Sequence, residues 1–382
     1  IQSADLILIS PGIDPNTPEI AESIGENTEV IGDVELFCRL VDAPIAAVTG
    51  SNGKSTVVSL LAHVGQALGK NTVLGGNVGA PILSQIQHNV DCYVLELSSF
   101  QLETIKSLRA KVATVLNVTD DHLDRHHTLE NYAAIKRNIY QHCELAVSNA
   151  NDHLTAASSD QNQVSFGLGH NDEMYALVQD GNDFNLVVDA KTVAALSELP
   201  LAGVHNGLNY LVVLALGNAL GWPTDEMLMH LKSFKGLSHR CQLVESEDGI
   251  TWINDSKATN VGAAVAAIKG VSPMVGENSR LVLIAGGDGK GADFLPLKSP
   301  LQQYVAELIV IGKDSSQIAS LAKSAIRVDS IEHAVEAARE IVNPGDVVLL
   351  SPACASIDMF KSFVERGERF TKAVCGIKEK IS

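Results

Sequence analysis

The chain is short of positive charge. It has 28 lysines and arginines against 45 aspartates and glutamates, a formal net charge of −17. That balance argues against free nucleic acid as a partner and leaves room only for local basic pockets that hold phosphates. It also lacks any uninterrupted apolar run long enough to span a bilayer, and no signal peptide is recognisable, so membrane insertion is not expected. Its six cysteines (Cys38, Cys92, Cys143, Cys241, Cys354 and Cys375) include no C-x-x-C pair. Without that spacing they read as reduced thiols of a cytoplasmic protein and not as a zinc site. Cys354 reads as a small packing residue. The chain begins with Ile1 and opens almost at once on an apolar strand, Asp5-Leu6-Ile7-Leu8-Ile9. An N-terminally truncated first domain is therefore expected.

What is present is a globular composition, 46% hydrophobic and 19% charged over 382 residues, with length for two or three domains. The most informative stretch is Ala46-Ala47-Val48-Thr49-Gly50-Ser51-Asn52-Gly53-Lys54-Ser55-Thr56. An apolar strand runs into a glycine-rich loop, and Val57, Leu60, Leu61, Val64 and Leu68 then recur at helical spacing. Gly50 and Gly53 let the loop turn its amides towards phosphate oxygens. Lys54 supplies a point charge and the Ser55 hydroxyl a Mg²⁺ ligand. The helix presents its positive end to the same anion. The common G-x-x-x-x-G-K-[ST] pattern would need glycine where this chain has Val48, so the loop is a shorter variant.

Along the chain, residues 1–36 predict a strand, a Ser10-Pro11-Gly12 turn, a short helix begun by Thr17 and Pro18, and a strand at Glu29–Ile31. These elements are too few for a sheet covered on both faces. A second unit, 37–236, alternates strands and helices: Val90–Leu97 (strand), Leu102–Leu108 (helix), Lys111–Asn117 (strand) and Asn131–Tyr140 (helix). Alternation of this kind predicts a mostly parallel sheet with helices on both faces. From about 145 to 200 short strands (Glu173–Val178, Asn185–Val188) suggest a small mixed-sheet insertion, and an apolar helix is expected over Asn206–Leu220. A third unit, 237–382, carries buried-type strands at Arg280–Ala285, Glu307–Ile311 and Asp346–Leu350, a second doubly wound pattern. Its Gly286-Gly287-Asp288-Gly289-Lys290-Gly291 run lacks G-x-G-x-x-G spacing, which argues against NAD.

Chemistry-bearing residues fall at strand ends. Glu96 closes an apolar strand at the edge that carries the phosphate loop, where a carboxylate would hold nucleotide-bound Mg²⁺; a salt-bridged or capping glutamate is the plainer alternative. His122 leaves the next strand in an acidic loop and suits either a metal, a phosphate or plain surface. Lys136 projects between Tyr132 and Tyr140 on an apolar helical stripe. Desolvation there would favour a neutral amine able to take up CO₂ as a carbamate; a snorkelling lysine is the plainer reading. In the third unit, Ser238-His239-Arg240, Asn254-Asp255-Ser256-Lys257-Ala258-Thr259-Asn260, Gly287-Asp288-Gly289-Lys290 and Ser351–Ser356 gather cations and hydroxyls in loops after strands. Such a group suits a small dicarboxylate or a transferred phosphate.

Together these motifs resemble the Mur ligases, over essentially the whole chain. The resemblance implies a three-domain architecture: a partial N-terminal Rossmann-like domain, a central P-loop-type ATPase domain and a C-terminal Rossmann-like domain. It implies that Gly50, Asn52, Gly53, Lys54, Ser55 and Thr56 bind ATP, and that His205, Asn206 and Asn209 match the adenine-side motif. Ser55, Glu96, His122 and Lys136, the last as a carbamate, would bind Mg²⁺ at two sites. Lys54, Glu96, His122, Lys136, His239, Arg240 and Lys257 would be catalytic, with Arg240, Asp255 and Lys257 meeting the nucleotide and the transferred phosphate. The third unit looks like the D-glutamate-adding branch, which implies D-glutamate and UDP-N-acetylmuramoyl-L-alanine as substrates in cytoplasmic peptidoglycan precursor synthesis. Thr259, Lys290, Ser356, Ile357 and Phe363 would form the D-glutamate pocket. Ser10, Pro11, Gly12, Asn77 and Ser98 would touch the UDP-sugar. A monomer is expected. Two alternatives stay open: a folate polyglutamate-type ligase, and an ATP-binding fragment inactive because its UDP-binding domain is incomplete.

Overall fold

The structure, a computed structural model, describes residues 4–376 except 16, 23, 26–27, 170–173, 182, 202, 235 and 277–278, and omits the Asp124 side chain. The chain divides into two units, residues 1–200 with 206–234, and residues 201–205 with 235–382.

The first unit holds strands β1 (Leu6–Leu8), β2 (Glu29–Ile31), β3 (Ile45–Thr49), β4 (Thr72–Gly76), β5 (Cys92–Glu96), β6 (Val112–Val115), β7 (Ala146–Asn149), β8 (Gln163–Leu168), β9 (Tyr175–Asp180), β10 (Asp183–Val188) and β11 (Lys191–Ala195). β1 and β2 pair in parallel as a separate two-stranded sheet. The other nine form one sheet in the order β11-β10-β9-β8-β7-β6-β3-β5-β4. All pairs from β4 to β9 are parallel, while β10 and β11 are antiparallel to their neighbours. The mixed strands expected between 145 and 200 are thus continuous with the central sheet, joined through β7 to β6. Glu173, the first residue of one expected strand, lies outside the described residues. β3 is buried along its whole length, as a central parallel strand covered on both faces must be. The helix Val204–Ala219 is apolar nearly all round and mostly buried, the pattern of a core helix.

One expected helix differs. The segment predicted as helix from Leu102 to Leu108 is helical only over Ser99–Leu102. Ser98 caps it and Gln101 returns the bond to the Ser98 amide. Beyond it, the amides of Lys106 and Ser107 donate to the buried carboxylate of Glu35 at 2.8 and 2.9 Å. With those amides committed to a carboxylate, no helical ladder can continue through them. Glu35 lies on the helix Asp33–Leu40, which the sequence pattern did not reveal. β4 was also not foreseen.

The second unit is a six-stranded sheet of β12 (Gln242–Val244), β13 (Thr251–Asn254), β14 (Leu281–Gly286), β15 (Glu307–Ile311), β16 (Ile326–Arg327) and β17 (Val347–Leu350). The order is β12-β13-β17-β14-β15-β16, and only β12 runs antiparallel. One face packs on the helix Val261–Val271, whose Ala264, Ala267 and Ile268 are buried, and the other on the helices Ile331–Ile341 and Phe363–Val374. The loops after β13, β14, β15 and β17 therefore emerge at one edge, where open parallel sheets bind ligands.

Candidate active site

In the first unit, the chain leaves β3 into a loop whose Gly50 and Gly53 have φ of +152° and +85°. A side chain at Gly50 would also strike Leu116, its Cβ falling 2.9 Å from the Leu116 Cβ. The loop is clamped by the end of β6. Asn117 accepts the Asn52 amide at 2.9 Å and returns its own side-chain amide to the Asn52 carbonyl at 3.1 Å. The Ser51 hydroxyl accepts from the Thr119 amide at 2.9 Å and donates to the Thr119 carbonyl at 3.0 Å. Lys54 opens the helix Lys54–Ala67 and folds its ammonium back on the carbonyls of Gly50 and Ser51, at 2.7 and 3.0 Å.

Next to Lys54, the Ser55 hydroxyl donates to Glu96 at 2.6 Å, and the Asn77 side-chain amide reaches the other Glu96 oxygen at 2.9 Å. Ser55, Glu96 and Asn77 come from the ends of three different elements and share one carboxylate. Lys136, on the helix Leu129–Arg137, is buried and donates to the Gly50 carbonyl at 2.9 Å, its ammonium 4.4 Å from the centre of the Tyr132 ring. Burial, then the positive charge of Lys54, pushes the Lys136 ammonium well below the ordinary lysine range, against the pull of Asp121 and Glu96. His122 stands in the left-handed region at φ +54°, before the short helix Leu123–His126, with its ring 4.9 Å from Phe100. Among the described residues, no three His, Cys, Asp or Glu side chains converge on a single cation position. The Ser55 hydroxyl and the Glu96 carboxylate are oxygen donors of the kind that could hold a hard cation such as Mg²⁺.

Asn206 and Asn209 sit buried one turn apart on the helix Val204–Ala219, joined by a 3.2 Å bond, and the Asn209 oxygen lies against Gly53. Ser98 spends its hydroxyl on the cap already described. In the Ser10-Pro11-Gly12 turn the Ser10 carbonyl accepts the Ile13 amide at 2.9 Å. Asp14 just beyond it pairs with Arg125 at 3.3 Å, and Arg125 with Glu103 at 2.6 Å.

In the second unit, His239 is buried with φ +64° and its ring lies against Gly367. The Asn254 side-chain amide donates to His239 Nδ1 at 3.1 Å, which assigns the imidazole proton to Nε2. Burial lowers the His239 pKa, opposed by the charge of Glu368. Asp255 accepts the Cys241 amide at 3.2 Å and the Ser351 hydroxyl at 2.9 Å. Burial pushes its carboxyl up to about 7, against the pull of those bonds and of Arg240. The Lys257 ammonium lies 4.1 Å from the centre of the Phe363 ring, and its amide donates to the His239 carbonyl at 3.0 Å. Thr259 lies in the turn after β13 with its amide on the Lys257 carbonyl at 2.8 Å. Lys290 is exposed, Ser356 buried and Ile357 exposed, all in loops at the same edge.

Sequence reasoning missed several supports. Asn117 and Thr119 hold the phosphate loop, and Asn254 orients His239. Arg366, fully buried on the helix Phe363–Val374, donates to the Ser256 hydroxyl at 3.0 Å, the Ser256 carbonyl at 2.8 Å and the Cys354 carbonyl at 3.2 Å, tying two loops together. Nothing in its local sequence marks it, because its partners come from other loops.

Comparison with known proteins fits this arrangement. Residues 48–217 match the model of the Mur ligase middle domain, and residues 239–354 that of the Mur ligase glutamate ligase domain. The chain is 51% identical to the UDP-N-acetylmuramoylalanine–D-glutamate ligase of Colwellia psychrerythraea, over 98% of this chain and 83% of that protein. It is 47% identical to the enzyme of the same name from Pasteurella multocida, over 97% and 84%. Among solved structures, UDP-N-acetylmuramate-alanine ligase MurC from Thermotoga maritima superposes with a TM-score of 0.66 at 22% identity, over 96% of this chain and 84% of that one. MurF from Acinetobacter baumannii superposes with a TM-score of 0.70 at 19% identity, over 86% and 77%, a likeness of fold. The chain therefore belongs to the Mur ligase family of ATP-dependent ligases.

Proposed function

We propose that this protein joins D-glutamate to UDP-N-acetylmuramoyl-L-alanine at the expense of ATP, in peptidoglycan precursor synthesis in the cytoplasm. The observation that carries the reading is the shared carboxylate of Glu96, which gathers Ser55 and Asn77 beside the phosphate loop. The identity to two D-glutamate ligases over nearly the whole chain supports the choice of substrate.

On this reading, residues 37–236 form the ATP-binding domain, 237–382 the amino-acid domain, and 1–36 belong to the domain that takes the UDP-sugar. Gly50, Asn52, Gly53, Lys54, Ser55 and Thr56 hold the triphosphate, and Asn206 and Asn209 the adenine side. The alanyl carboxylate of the UDP-sugar attacks the γ-phosphorus, ADP departs, and an acyl phosphate is left. Lys54, with Arg240 and Lys257, offsets the charge that develops on the transferred group. The amine of D-glutamate then attacks the acyl carbon, phosphate leaves with the bonding pair, and the amine gives up a proton. His239, with Nε2 protonated, is a candidate to orient the leaving phosphate. Lys290, Thr259, Ser356, Ile357 and Phe363 receive D-glutamate. Ser10, Pro11, Gly12, Asn77 and Ser98 face the UDP-sugar.

Ser55 and Glu96 would hold Mg²⁺, with His122 and Lys136 as further candidate ligands at two sites, and the ion would neutralise phosphate charge. As an ammonium Lys136 has no lone pair to offer, and as a carbamate it would supply the oxygen that Mg²⁺ prefers. Its suppressed ammonium supports this, since a neutral amine adds CO₂ and releases a proton to become a carbamate. The protein is read as a monomer that binds no nucleic acid.

The test is ADP release in Mg²⁺ and bicarbonate. The reading requires release that depends on both UDP-N-acetylmuramoyl-L-alanine and D-glutamate. Release with another amino acid, or with a folate acceptor, would overturn it.

A further inference from the structure

We propose that Asp314 and Asp288 are positioning residues for Lys290, setting the affinity for the amino-acid substrate without touching it. The inference rests on the reading of Lys290 as the cation that meets the carboxylate of D-glutamate.

Lys290 has φ +52°, a conformation that a residue with a side chain keeps only where its surroundings hold it. Two consecutive amides do the holding. The Lys290 amide donates to the carboxylate of Asp288 at 2.8 Å, and the Gly289 amide to that of Asp314 at 2.7 Å. Asp288 belongs to the same loop, after β14. Asp314 belongs to the loop after β15, so the turn that presents Lys290 is fastened to a neighbouring loop.

Asp314 occupies the position before the helix Ser315–Ala319 where aspartate commonly caps, yet its side chain makes no capping bond. One oxygen takes the Gly289 amide and the other the side-chain amide of Gln317 at 2.9 Å. The Asp314 amide returns to the Gly287 carbonyl at 3.0 Å, so the two loops are stitched in both directions.

Asp288 ties the turn to a third loop. Its backbone exchanges bonds of 3.0 and 2.9 Å with Ala355, the residue before Ser356. Its second oxygen takes the Lys313 ammonium at 3.1 Å. The junction is close: a Cβ at Gly287 would fall 2.3 Å from the Ala355 carbonyl. Lys290 and Ser356, assigned to one substrate from separate loops, are thereby held in register through Asp288.

Asp314→Ala is expected to raise the D-glutamate KM about tenfold, the scale of one lost charge-assisted bond, with kcat and the ATP KM near their original values. Asp314→Asn keeps an acceptor oxygen and should recover most of the affinity. Hydrogen exchange at the Gly289 amide should quicken in Asp314→Ala and much less in Asp314→Asn. Asp288→Ala tests the turn through its other bond and should show the same selective rise, which covers the case where Asp314→Ala does not fold. A D-glutamate KM close to wild type in these variants despite faster Gly289 exchange overturns the proposal, and so does an equal rise in the ATP KM. An unchanged D-glutamate KM in Lys290→Ala would instead remove the reading of Lys290, and the proposal with it. Absence of D-glutamate-dependent ADP release in the wild type would point to failure of the functional reading itself.

Discussion

Lys136 donates to the carbonyl of Gly50 at 2.9 Å while the Tyr132 ring faces its ammonium at 4.4 Å. Those two contacts favour the ammonium, whereas burial and the charge of Lys54 disfavour it, and the proposed carbamate requires that the latter prevail. Protein equilibrated with ¹³C-bicarbonate should show a carbamate carbon resonance that Lys136→Arg lacks. Lys136→Ala should lose at least about 100-fold in kcat, the scale of losing a group that acts in the transition state. A silent spectrum from active wild-type protein would leave Lys136 as a structural lysine.

Glu96 serves Ser55 and Asn77 through separate oxygens. Glu96→Gln keeps the size of the side chain and an acceptor but removes the charge. The Mg²⁺ concentration for half-maximal activity should rise about tenfold or more, a loss of roughly 1.4 kcal/mol at the cation. Thermal stability should change little. A Mg²⁺ titration of ADP release on both proteins decides it, and superimposable curves would assign Glu96 to loop structure alone.

Asp255 gives a pH prediction. Its carboxyl is raised from 3.8 to about 7 in the folded chain, so the folded state holds a proton that the unfolded state has lost between those values. Its favourable share of stability is present below about pH 4 and is lost as pH rises towards 7, an effect of up to about 4 kcal/mol at 1.36 kcal/mol per pH unit. Arg240 and the Ser351 and Cys241 bonds already oppose the shift. Asp255→Asn mimics the protonated form. It should equal the wild type near pH 4 and exceed it near pH 8, read from urea unfolding at each pH. Parallel stability curves for the two proteins would contradict the raised carboxyl.

Arg366 is buried with hydroxyl and carbonyl oxygens as its acceptors in Ser256 and Cys354. Arg366→Met should cost about 3 kcal/mol of unfolding free energy, the scale of several buried acceptors left unsatisfied. It should also raise the D-glutamate KM, because Ser256 and Cys354 flank the loops assigned to that substrate. Calorimetry and steady-state kinetics on the same preparation separate the two effects.

The sequence was most legible where chemistry is local. The glycines, Lys54 and Ser55 fall within six residues, and β3 and the helix after it followed from apolar pattern alone. Tyr132 and Tyr140 flank Lys136 in the sequence, but a snorkelling lysine is the plainer reading of that stripe, and the structure buries the side chain instead. Its bond to Gly50 bridges 86 positions and leaves no local trace. The helix expected over Leu102–Leu108 failed for the same reason: the carboxylate that draws off the amide of Lys106 lies 71 positions away, on Glu35. β4 was missed because it is short and ends in Gly75 and Gly76, which read as a turn. Asp314 and Arg366 act through loops brought together by a parallel sheet, where neighbours in space are far apart in order.

Lys54 lies folded over its own loop, bonded to the carbonyls of Gly50 and Ser51. On the proposed reading, nucleotide binding at this loop is an exchange: the lysine would give up these carbonyls for phosphate oxygens. The affinity it would supply is the difference between those attachments, so a looser resting latch should tighten the grip on ATP.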